Sequence, residues 1–405
     1  MCSSMTTSRW NSIAMKKIEI DIKSVDKTKR IHKFQVRAND VCLSQNWQNL
    51  KIRNTLPNSN HTCSIVPEYI NKHIIEKGTE EEKRRAWQTL VLTEQLRGRR
   101  NVAGSLHTLF AVADKLHHTI FDAKNSESLP GNLVRGEGAK PKGGRNVSEA
   151  YDYSGDTYNF YDKIFERNSV DGRGMRLDST VHYAEDYNNA FWNGTQMVYG
   201  DGDGQIFNRF TISLDVIGHE LTHGVTQYEA ALEYQGQPGA LNESFSDVLG
   251  TLVKQYELNQ TVDKADWLIG AGLFTRKVKG VALRSMKAPG TAYDDPRIGK
   301  DPQPGHMKDY VNTSSDNGGV HINSGIPNHA FYLTAMEIGG KAWESAGKIW
   351  YITLRDRLRE RSDFQEMANL TFAVAGSIFG KDSKEQKAVF KGWEGVGLRI
   401  KKSSR

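Results

Sequence analysis

A short helical segment with two histidines constrains this chain more than any other feature. In ISLDVIGHELTHGVTQYEAAL, residues 212–232, apolar side chains recur at helical spacing, which predicts a buried helix face. His219 and His223 are four residues apart, so they lie one above the other on an adjacent face, with Glu220 between them. Two neutral imidazoles at this spacing can take two corners of a zinc tetrahedron. A structural helix with two hydrogen-bonded histidines is the alternative that the motif alone leaves open.

The next predicted helix supplies a third candidate ligand. After a turn predicted over residues 236–239 comes LNESFSDVLGTL, in which Glu243 and Asp247 are again four residues apart on one face. Glu243 can complete a set of three protein ligands, and three ligands with one open position are typical of a catalytic zinc site. Asp247 is placed to accept the outer N–H of a zinc histidine, an interaction that fixes the tautomer of the ring.

A loop histidine lies farther along the chain. In SSDNGGVHINSG, residues 314–325, His321 follows a Gly-Gly turn, and Asp316 lies five residues before it. A histidine oriented by a carboxylate can act as a hydrogen-bond donor to a developing oxyanion. A plain loop histidine is the competing interpretation of this segment taken alone.

Together these motifs resemble the thermolysin family of zinc endopeptidases, the gluzincins. HELTH, GALNESFSD and DNGGVHINSG occur with NNAFWNG (188–194) and ALRSM (282–286) in the family's order and nearly its spacing, over about 120–405. The resemblance implies an α+β, two-lobed fold with a β-rich N-terminal lobe and a helical C-terminal lobe. The HELTH helix would lie at the floor of the cleft, and a small prosegment would precede the two lobes.

The resemblance also implies a role for each matching residue. The zinc ligands, for one Zn²⁺ per chain, would be His219, His223 and Glu243. The catalytic residues would be the general base Glu220, the oxyanion donors Tyr234 and His321, and the orienting carboxylates Asp316 and Asp247. The clamps on the substrate backbone would be Asn189, the main chain of Ala190, and Arg284. The apolar pocket for the residue after the scissile bond would be built by Phe207, Phe210, Val216 and Leu283.

The chain departs from the family at the calcium sites that many members carry. Only Asp215 and Asp266 match the family's carboxylates, and the other positions are Lys254, Leu268 and Ala271. Calcium takes about six to eight oxygen ligands, which two carboxylates and an ammonium group cannot provide. We therefore expect the calcium pair to be lost and Lys254 to pair with one of the two aspartates.

The segment HTCSIVPEYI, residues 61–70, contains Cys63, the last cysteine of the chain after Cys2 and Cys42. It resembles the Cys-x-x-x-Pro-Pro-type motif of protealysin-like members with a short prosegment, although Glu68 replaces the second proline. Pro67 favours extended backbone before it, so a strand is predicted there. Such a strand in the cleft could offer the Cys63 thiolate to the open zinc position. The alternative is a small buried side chain that only packs.

Four regions are predicted. They are an N-terminal extension of unknown role (1–60), an inhibitory prosegment (61–115), a β-rich catalytic lobe that includes the zinc helix (116–235) and a helical catalytic lobe (236–405). Within the prosegment, a capping box of Thr79 and Glu82 begins a helix predicted to end near Arg97. The basic residues 97–100 would then form an exposed loop, either a protease site or a linker. Short β-type runs, among them SLPGNLVRGEG, TYNFYDK and STVHYAED, dominate residues 116–210.

Composition narrows the class of function. The net charge of +6 arises from 54 basic and 48 acidic residues without an arginine block interleaved with aromatics, which excludes a typical nucleic-acid-binding surface. No run of 18 apolar residues exists, so no membrane span is predicted. The first 30 residues lack a signal-peptide core, which suggests leaderless secretion, with a cytoplasmic location as the alternative.

These observations predict a secreted zymogen. Its mature form would be a zinc-dependent neutral endopeptidase that cuts protein and peptide substrates on the N-terminal side of bulky apolar residues. A monomer inhibited in cis by its prosegment is expected. A catalytically dead scaffold that binds proteins is the alternative. A zinc-dependent esterase or amidase is disfavoured, because Asn189 and Arg284 suit an extended peptide backbone.

Overall fold

The structure is a computed structural model that describes residues 63–103 and 115–400. The predicted N-terminal extension over residues 1–60 lies outside the described residues. Within them, the strands of the large sheet lie before residue 200 and most helices lie after residue 212, in agreement with the predicted α+β class. No helix in the described ranges is long and apolar enough to cross a membrane.

In the part of the chain that the structure describes, ten short strands form one large sheet and two small ones. The strands are β1 (Cys63–Ser64), β2 (His118–Asp122), β3 (Asn132–Arg135), β4 (Leu177–Val181), β5 (Ala190–Trp192), β6 (Gln196–Tyr199), β7 (Leu268–Ile269), β8 (Arg284–Ser285), β9 (Asp294–Asp295) and β10 (Gly299–Lys300). The large sheet has the order β1-β5-β6-β4-β2-β3, and β9–β10 and β7–β8 are antiparallel pairs. β4 is parallel to both its neighbours, and the other pairs of the large sheet are antiparallel.

Ten α-helices lie in the described ranges. They are α1 (Glu68–Lys77), α2 (Glu80–Ala103), α3 (Gly144–Phe165), α4 (Leu214–Tyr228), α5 (Gly236–Glu257), α6 (Asp316–Asn323), α7 (Gly325–Ile338), α8 (Ala346–Asp356), α9 (Phe364–Phe379) and α10 (Lys384–Gly395). The predicted turn over 236–239 is wrong, because α5 already begins at Gly236. Its early proline, Pro238, is tolerated because the first turn of a helix has no intrahelical acceptor for its N–H groups.

The predicted prosegment contains the edge strand β1 and the first two helices. Its capping box is confirmed: the backbone N–H of Thr79 donates to Glu82 Oε2 (2.8 Å), and that of Glu82 donates to Thr79 Oγ1 (3.3 Å). The predicted end of this helix near Arg97 is wrong, since α2 continues to Ala103. Arginine and leucine are good helix formers, and a single glycine costs only about 1 kcal/mol, so residues 97–100 stay helical.

Helix α3 replaces a predicted β-type run. TYNFYDK lies within its 22 residues, so the extended interpretation is wrong. Aromatic side chains favour strands on average. Here Tyr158, Phe160 and Tyr161 all belong to α3, and all three are buried. Tyr161 also hydrogen-bonds through its hydroxyl to Thr222 of α4 (2.7 Å), which ties α3 to the predicted zinc helix. Burial against α4 therefore overrides local propensity.

Close packing of α4 against α5 determines the geometry of the predicted site. Gly218 and Gly250 face each other, and a Cβ at Gly250 would lie 2.5 Å from the Asp215 carbonyl oxygen. Only glycine allows this approach of two helix backbones. The contact brings the His219 and His223 face of one helix against the Glu243 face of the other.

Candidate metal centre and cleft

The three predicted zinc ligands converge on one point between α4 and α5. His219 Nε2 lies 3.0 Å from His223 Nε2 and 3.5 Å from Glu243 Oε2, and His223 Nε2 lies 3.4 Å from Glu243 Oε1. All three side chains are buried. A tetrahedral zinc with bonds of about 2.0–2.1 Å separates its ligand atoms by about 3.3 Å, so these spacings fit the metal.

The hydrogen bonds of the two histidines orient both rings toward that point. The Nδ1 atoms contact Asp247 Oδ1 and Asn242 Oδ1, each at 2.8 Å, which leaves both Nε2 atoms directed at the centre. Glu243 Oε2 is buried and accepts no hydrogen bond from the described residues. Two inward-facing imidazole nitrogens and an unsatisfied carboxylate oxygen form a donor set suited to zinc. Sequence reasoning missed Asn242, because its neighbour Glu243 was the only residue in that segment with an obvious ligand role.

Glu220 lies beside the ligands without being one of them. The backbone N–H of Trp192 donates to its Oε2 (3.0 Å), whereas its buried Oε1 accepts no hydrogen bond from the described residues. Burial, and then the Glu243 carboxylate, raise the pKa of Glu220 well above its usual range. The nearby backbone N–H of Ile65 acts in the opposite direction by favouring the ionised carboxylate.

The two predicted oxyanion donors meet on the other side of the ligand set. The Tyr234 hydroxyl donates to Glu243 Oε1 and lies 3.2 Å from His321 Nε2. Asp316 accepts from the ring Nδ1 of His321 (2.6 Å) and from its backbone N–H (2.9 Å). Burial would lower the pKa of His321, but the Glu243 and Asp316 carboxylates outweigh it and raise that pKa to about 9. The ring is therefore held in its donor form at neutral pH.

Asp247 joins the ligand set to the predicted backbone clamp. Besides His219, it accepts from Arg284 Nε and Nη2 and from Asn328 Nδ2, all at 2.8 Å. Burial alone would raise the pKa of Asp247, but the Arg284 guanidinium and the His219 hydrogen bond hold it well below its usual range. Asn328 was not predicted, since nothing in the local sequence relates it to a residue 81 positions earlier.

The prosegment strand lies in the cleft along β5. Cys63 pairs with Trp192 and Ser64 with Phe191 in antiparallel register. The next two residues contact the predicted clamps. Their hydrogen bonds are Ile65 N–H to Ala190 O (3.2 Å), Arg284 Nη1 to Ile65 O (3.1 Å), Val66 N–H to Asn189 Oδ1 (3.0 Å) and Asn189 Nδ2 to Val66 O (3.3 Å).

Cys63 lies at the predicted metal centre. Its sulfur, a nitrogen of His223 and an oxygen of Glu243 lie within 4.8 Å of one another, and all three residues are buried. The side chain also packs in a small cluster with Tyr234 and Val320. The structure therefore places this thiol where both the latch and the packing interpretation are geometrically possible.

The predicted apolar pocket is a buried part of the main core. Phe207, Phe210, Val216 and Leu283 are each at most 1 % exposed. They belong to the same apolar cluster as Ile65. The rings of Phe207 and Phe210 are 5.6 Å apart, so the aromatic side of this region is closely packed.

Lys254 lies between the two aspartates that match the family's calcium-site carboxylates. Its ammonium nitrogen lies 2.7 Å from Asp215 Oδ2, 3.0 Å from Asp266 Oδ1 and 2.9 Å from the carbonyl oxygen of Leu268. Burial would lower the pKa of Lys254, but Asp215 and then Asp266 outweigh it and raise that pKa. The lysine thus stays charged between the two aspartates.

Comparisons with known proteins agree with the geometry of this centre. The family model described as "Thermolysin metallopeptidase, catalytic domain" matches residues 95–227, and "Thermolysin metallopeptidase, alpha-helical domain" matches residues 230–398. An "Extracellular metalloprotease" of Pectobacterium carotovorum subsp. carotovorum is 52% identical over 84% of this chain and 97% of its own length. Protease PrtS of Photorhabdus sp. (strain Az29) is 48% identical over 86% of this chain and 95% of its own length.

A solved structure is similar over nearly its whole length. The precursor of protealysin, a metalloproteinase from Serratia proteamaculans, has a TM-score of 0.76 and 52% identity, covering 83% of this chain and 99% of that chain. The sheet and helices described above therefore share the fold of that precursor.

Proposed function

This chain belongs to the thermolysin family and is a zinc metalloendopeptidase, and we propose that it is made as a precursor whose own prosegment blocks the cleft. The mature enzyme hydrolyses peptide bonds on the N-terminal side of bulky apolar residues. One observation carries the proposal: the strand that contains Ser64 pairs with β5, whose Trp192 N–H donates to Glu220, and its Ser64 carbonyl oxygen faces His321, beside the three convergent side chains. The dead-scaffold alternative has no support, since the relatives are metalloproteases.

Each residue at the centre has a definite task in this mechanism. His219, His223 and Glu243 hold the zinc, which when bound supplies Lewis-acid activation of water. Glu220 takes a proton from the attacking water and passes it to the leaving amine. Tyr234 and His321 donate hydrogen bonds to the oxygen of the substrate carbonyl, and one such donor is typically worth roughly 3–4 kcal/mol.

The remaining residues position the substrate. Asn189, the main chain of Ala190, and Arg284 hold the backbone, and Asp247 fixes both Arg284 and His219. The buried pocket of Phe207, Phe210, Val216 and Leu283 favours a large apolar side chain after the scissile bond, because burial of such a side chain gains roughly 1.5–3 kcal/mol.

We also propose that residues 61–115 are the prosegment and that residues 116–235 and 236–405 are the two catalytic lobes. The substrates are proteins and peptides, and the enzyme acts outside the cell, as the name of the P. carotovorum relative indicates for that protein. The monomeric state and the leaderless route stay predictions.

Lys254 replaces the calcium pair in this proposal. Its ammonium group is 12 % exposed and lies within 3.0 Å of both carboxylates, so it neutralises the charge that a calcium ion would otherwise balance. Removal of calcium should then leave the fold unchanged, whereas removal of zinc should abolish peptide hydrolysis.

Two chelators can distinguish the role of zinc from that of calcium. We expect a zinc chelator to abolish casein hydrolysis by the matured chain, and added Zn²⁺ to restore it. A calcium-selective chelator should leave both the rate and the melting temperature unchanged, because Lys254 already occupies the site. Casein assays and thermal melts after dialysis test both halves. A large fall in melting temperature without calcium would contradict the role of Lys254, and hydrolysis that survives loss of zinc would contradict the proposed mechanism.

Cys63 is the proposed latch, since its sulfur lies beside the ligand atoms of His223 and Glu243. Replacing it by alanine removes the atom that can occupy the fourth zinc position. We expect Cys63→Ala to shorten the lifetime of the precursor or raise its activity on casein, measured by gel densitometry and initial rates. An unchanged lifetime and an unchanged precursor activity would favour the packing role instead.

A further inference from the structure

We propose that the peptide bond between Ser64 and Ile65 is a self-processing site, the first bond of its own chain that this enzyme hydrolyses once Cys63 no longer blocks the centre. The inference rests on the proposed function, because it assigns a particular substrate bond to the same catalytic groups. The main support for the inference is the register of the prosegment strand.

The two ends of this bond face the two kinds of catalytic group. The Ser64 carbonyl oxygen lies 3.1 Å from His321 Nε2, the proposed oxyanion donor. The Ile65 N–H donates to Ala190 O (3.2 Å), and the Glu220 carboxylate accepts from the N–H of Trp192 on β5, the strand with which the prosegment strand pairs. A scissile bond needs its oxygen at the oxyanion donor and its nitrogen at the group that protonates the leaving amine. The Ser64–Ile65 bond meets both requirements.

The backbone after the bond is held at two further points. Arg284 Nη1 donates to the Ile65 carbonyl oxygen, and the Asn189 side chain exchanges hydrogen bonds with both backbone groups of Val66. Because the strand also pairs with β5 through Ser64, a shift by one residue would break all of these contacts. The register therefore selects one bond.

The residue after the bond has the side chain that the pocket favours. Ile65 is fully buried in the main apolar core, which also contains Phe207, Phe210, Val216 and Leu283. The two adjacent bonds are less suitable. Cleavage of the Cys63–Ser64 bond would put Ser64 after the scissile bond, and cleavage of the Ile65–Val66 bond would put Val66 there. Val66 is already held by Asn189 one residue farther along the cleft.

The reaction is an ordinary hydrolysis with water as the co-reactant. Glu220 takes one proton from water, and the water oxygen bonds to the Ser64 carbonyl carbon. The C–N bond then breaks, and the Ile65 nitrogen receives the proton from Glu220. The acid formed at Ser64 gives up its remaining proton to the new amine, so the products are a carboxylate at Ser64 and an ammonium group at Ile65, and atoms and charge balance.

Cys63 explains why the bond persists in the precursor. It immediately precedes Ser64, and its sulfur lies by the ligand atoms of His223 and Glu243, where the attacking water has to enter. The strand thus resembles a bound substrate from which the nucleophile is excluded. Removing the thiol admits water without moving the backbone hydrogen bonds that position the bond.

The experiment compares full-length zinc-loaded chains by intact mass and N-terminal sequencing during incubation. Cys63→Ala should yield a chain that begins at Ile65, at a rate independent of protein concentration, whereas the parent should not. The double variant Cys63→Ala/Glu220→Ala should remain uncut. Lys72→Ala, an exposed substitution on α1, is the matched control and should leave the cleavage pattern unchanged in either background.

Casein hydrolysis, measured on the same samples, distinguishes a failure of the self-processing site from a failure of the proposed function. If Cys63→Ala hydrolyses casein but keeps the Ser64–Ile65 bond intact, the self-processing site is overturned and the proposed function stands. If zinc-loaded Cys63→Ala hydrolyses neither casein nor its own chain, the self-processing site is overturned, and the proposed function is overturned as well only if the matured parent chain leaves casein uncut.

Hydrogen exchange gives a readout that does not depend on turnover. In Cys63→Ala/Glu220→Ala, the amides of Ile65 and Val66 should stay protected at least tenfold over the denatured chain, because Ala190 and Asn189 still accept from them. Exchange at the denatured rate would mean that the strand leaves the cleft without Cys63, which would overturn the proposal.

Discussion

Replacing Glu220 by alanine is expected to lower casein hydrolysis by about 10²- to 10⁴-fold while the chain still binds zinc. Glu220 is not one of the three converging ligands, so its loss leaves the donor set of His219, His223 and Glu243 intact. Its buried Oε1 accepts no hydrogen bond from the described residues, which leaves that oxygen available to a water proton. This variant should therefore lose casein hydrolysis while its zinc content stays that of the parent.

Initial rates on casein and metal analysis of the same sample test this separation. Glu220→Gln is the closer replacement, because its side-chain oxygen can still accept from Trp192 N–H but cannot carry a proton to the leaving amine. It should be as inactive as the alanine variant. Glu366→Ala, an exposed glutamate in the first turn of α9, should match the parent. A Glu220→Ala protein that cleaves casein at the parental rate would refute the mechanism.

The parts of the fold that depend on local spacing could be predicted from the sequence. The histidines of α4 are one helical turn apart, and the capping box of Thr79 and Glu82 is a three-residue pattern, so each follows from a short stretch of chain. The order and spacing of five motifs gave the two-lobed class. Helix α3 could not be predicted, because burial against α4 decided it, whereas the full length of α2 agrees with the helix propensity of its last residues.

The site was predictable in its ligands and less so in the residues that orient them. Asn242 and Asn328 hold His223 and Asp247, yet an asparagine has no spacing rule that identifies such a role. The contact of Arg284 with Ile65 joins residues 219 positions apart, so only the folded cleft brings them together. The sequence indicated that CSIVP is extended, whereas its direction and register along β5 required the structure.

Lys254 illustrates how a departure from a family pattern can be interpreted physically. The missing carboxylates predicted the loss of a cation site, and the ammonium group predicted what replaces the cation. The structure places that group within ion-pair distance of both remaining aspartates, where the sequence had left the choice between them open.

Replacing Asp247 by alanine is expected to cost about 3–5 kcal/mol in the free energy of unfolding. Asp247 and Arg284 are both buried and form two charge-assisted hydrogen bonds of 2.8 Å, so the variant leaves an arginine charge in the core without its partner. The same substitution frees His219 Nδ1, and loss of such an orienting partner typically lowers metal affinity by about 10- to 100-fold. Chemical denaturation and zinc titration of each variant measure the two effects, and Asp309→Ala, an exposed aspartate, should alter neither.

A second variant separates the buried charge from the metal. In Asp247→Ala/Arg284→Met the unpaired guanidinium is gone, and replacing both members of a buried ion pair by apolar side chains is often nearly neutral. The double variant should therefore regain much of the lost stability while its zinc affinity stays low, since His219 still lacks its partner. If stability does not recover, the cost lies in the lost hydrogen bonds of Asn328 and His219 and not in the arginine. If zinc affinity recovers with stability, Asp247 supports the fold of α5 and does not orient the ligand.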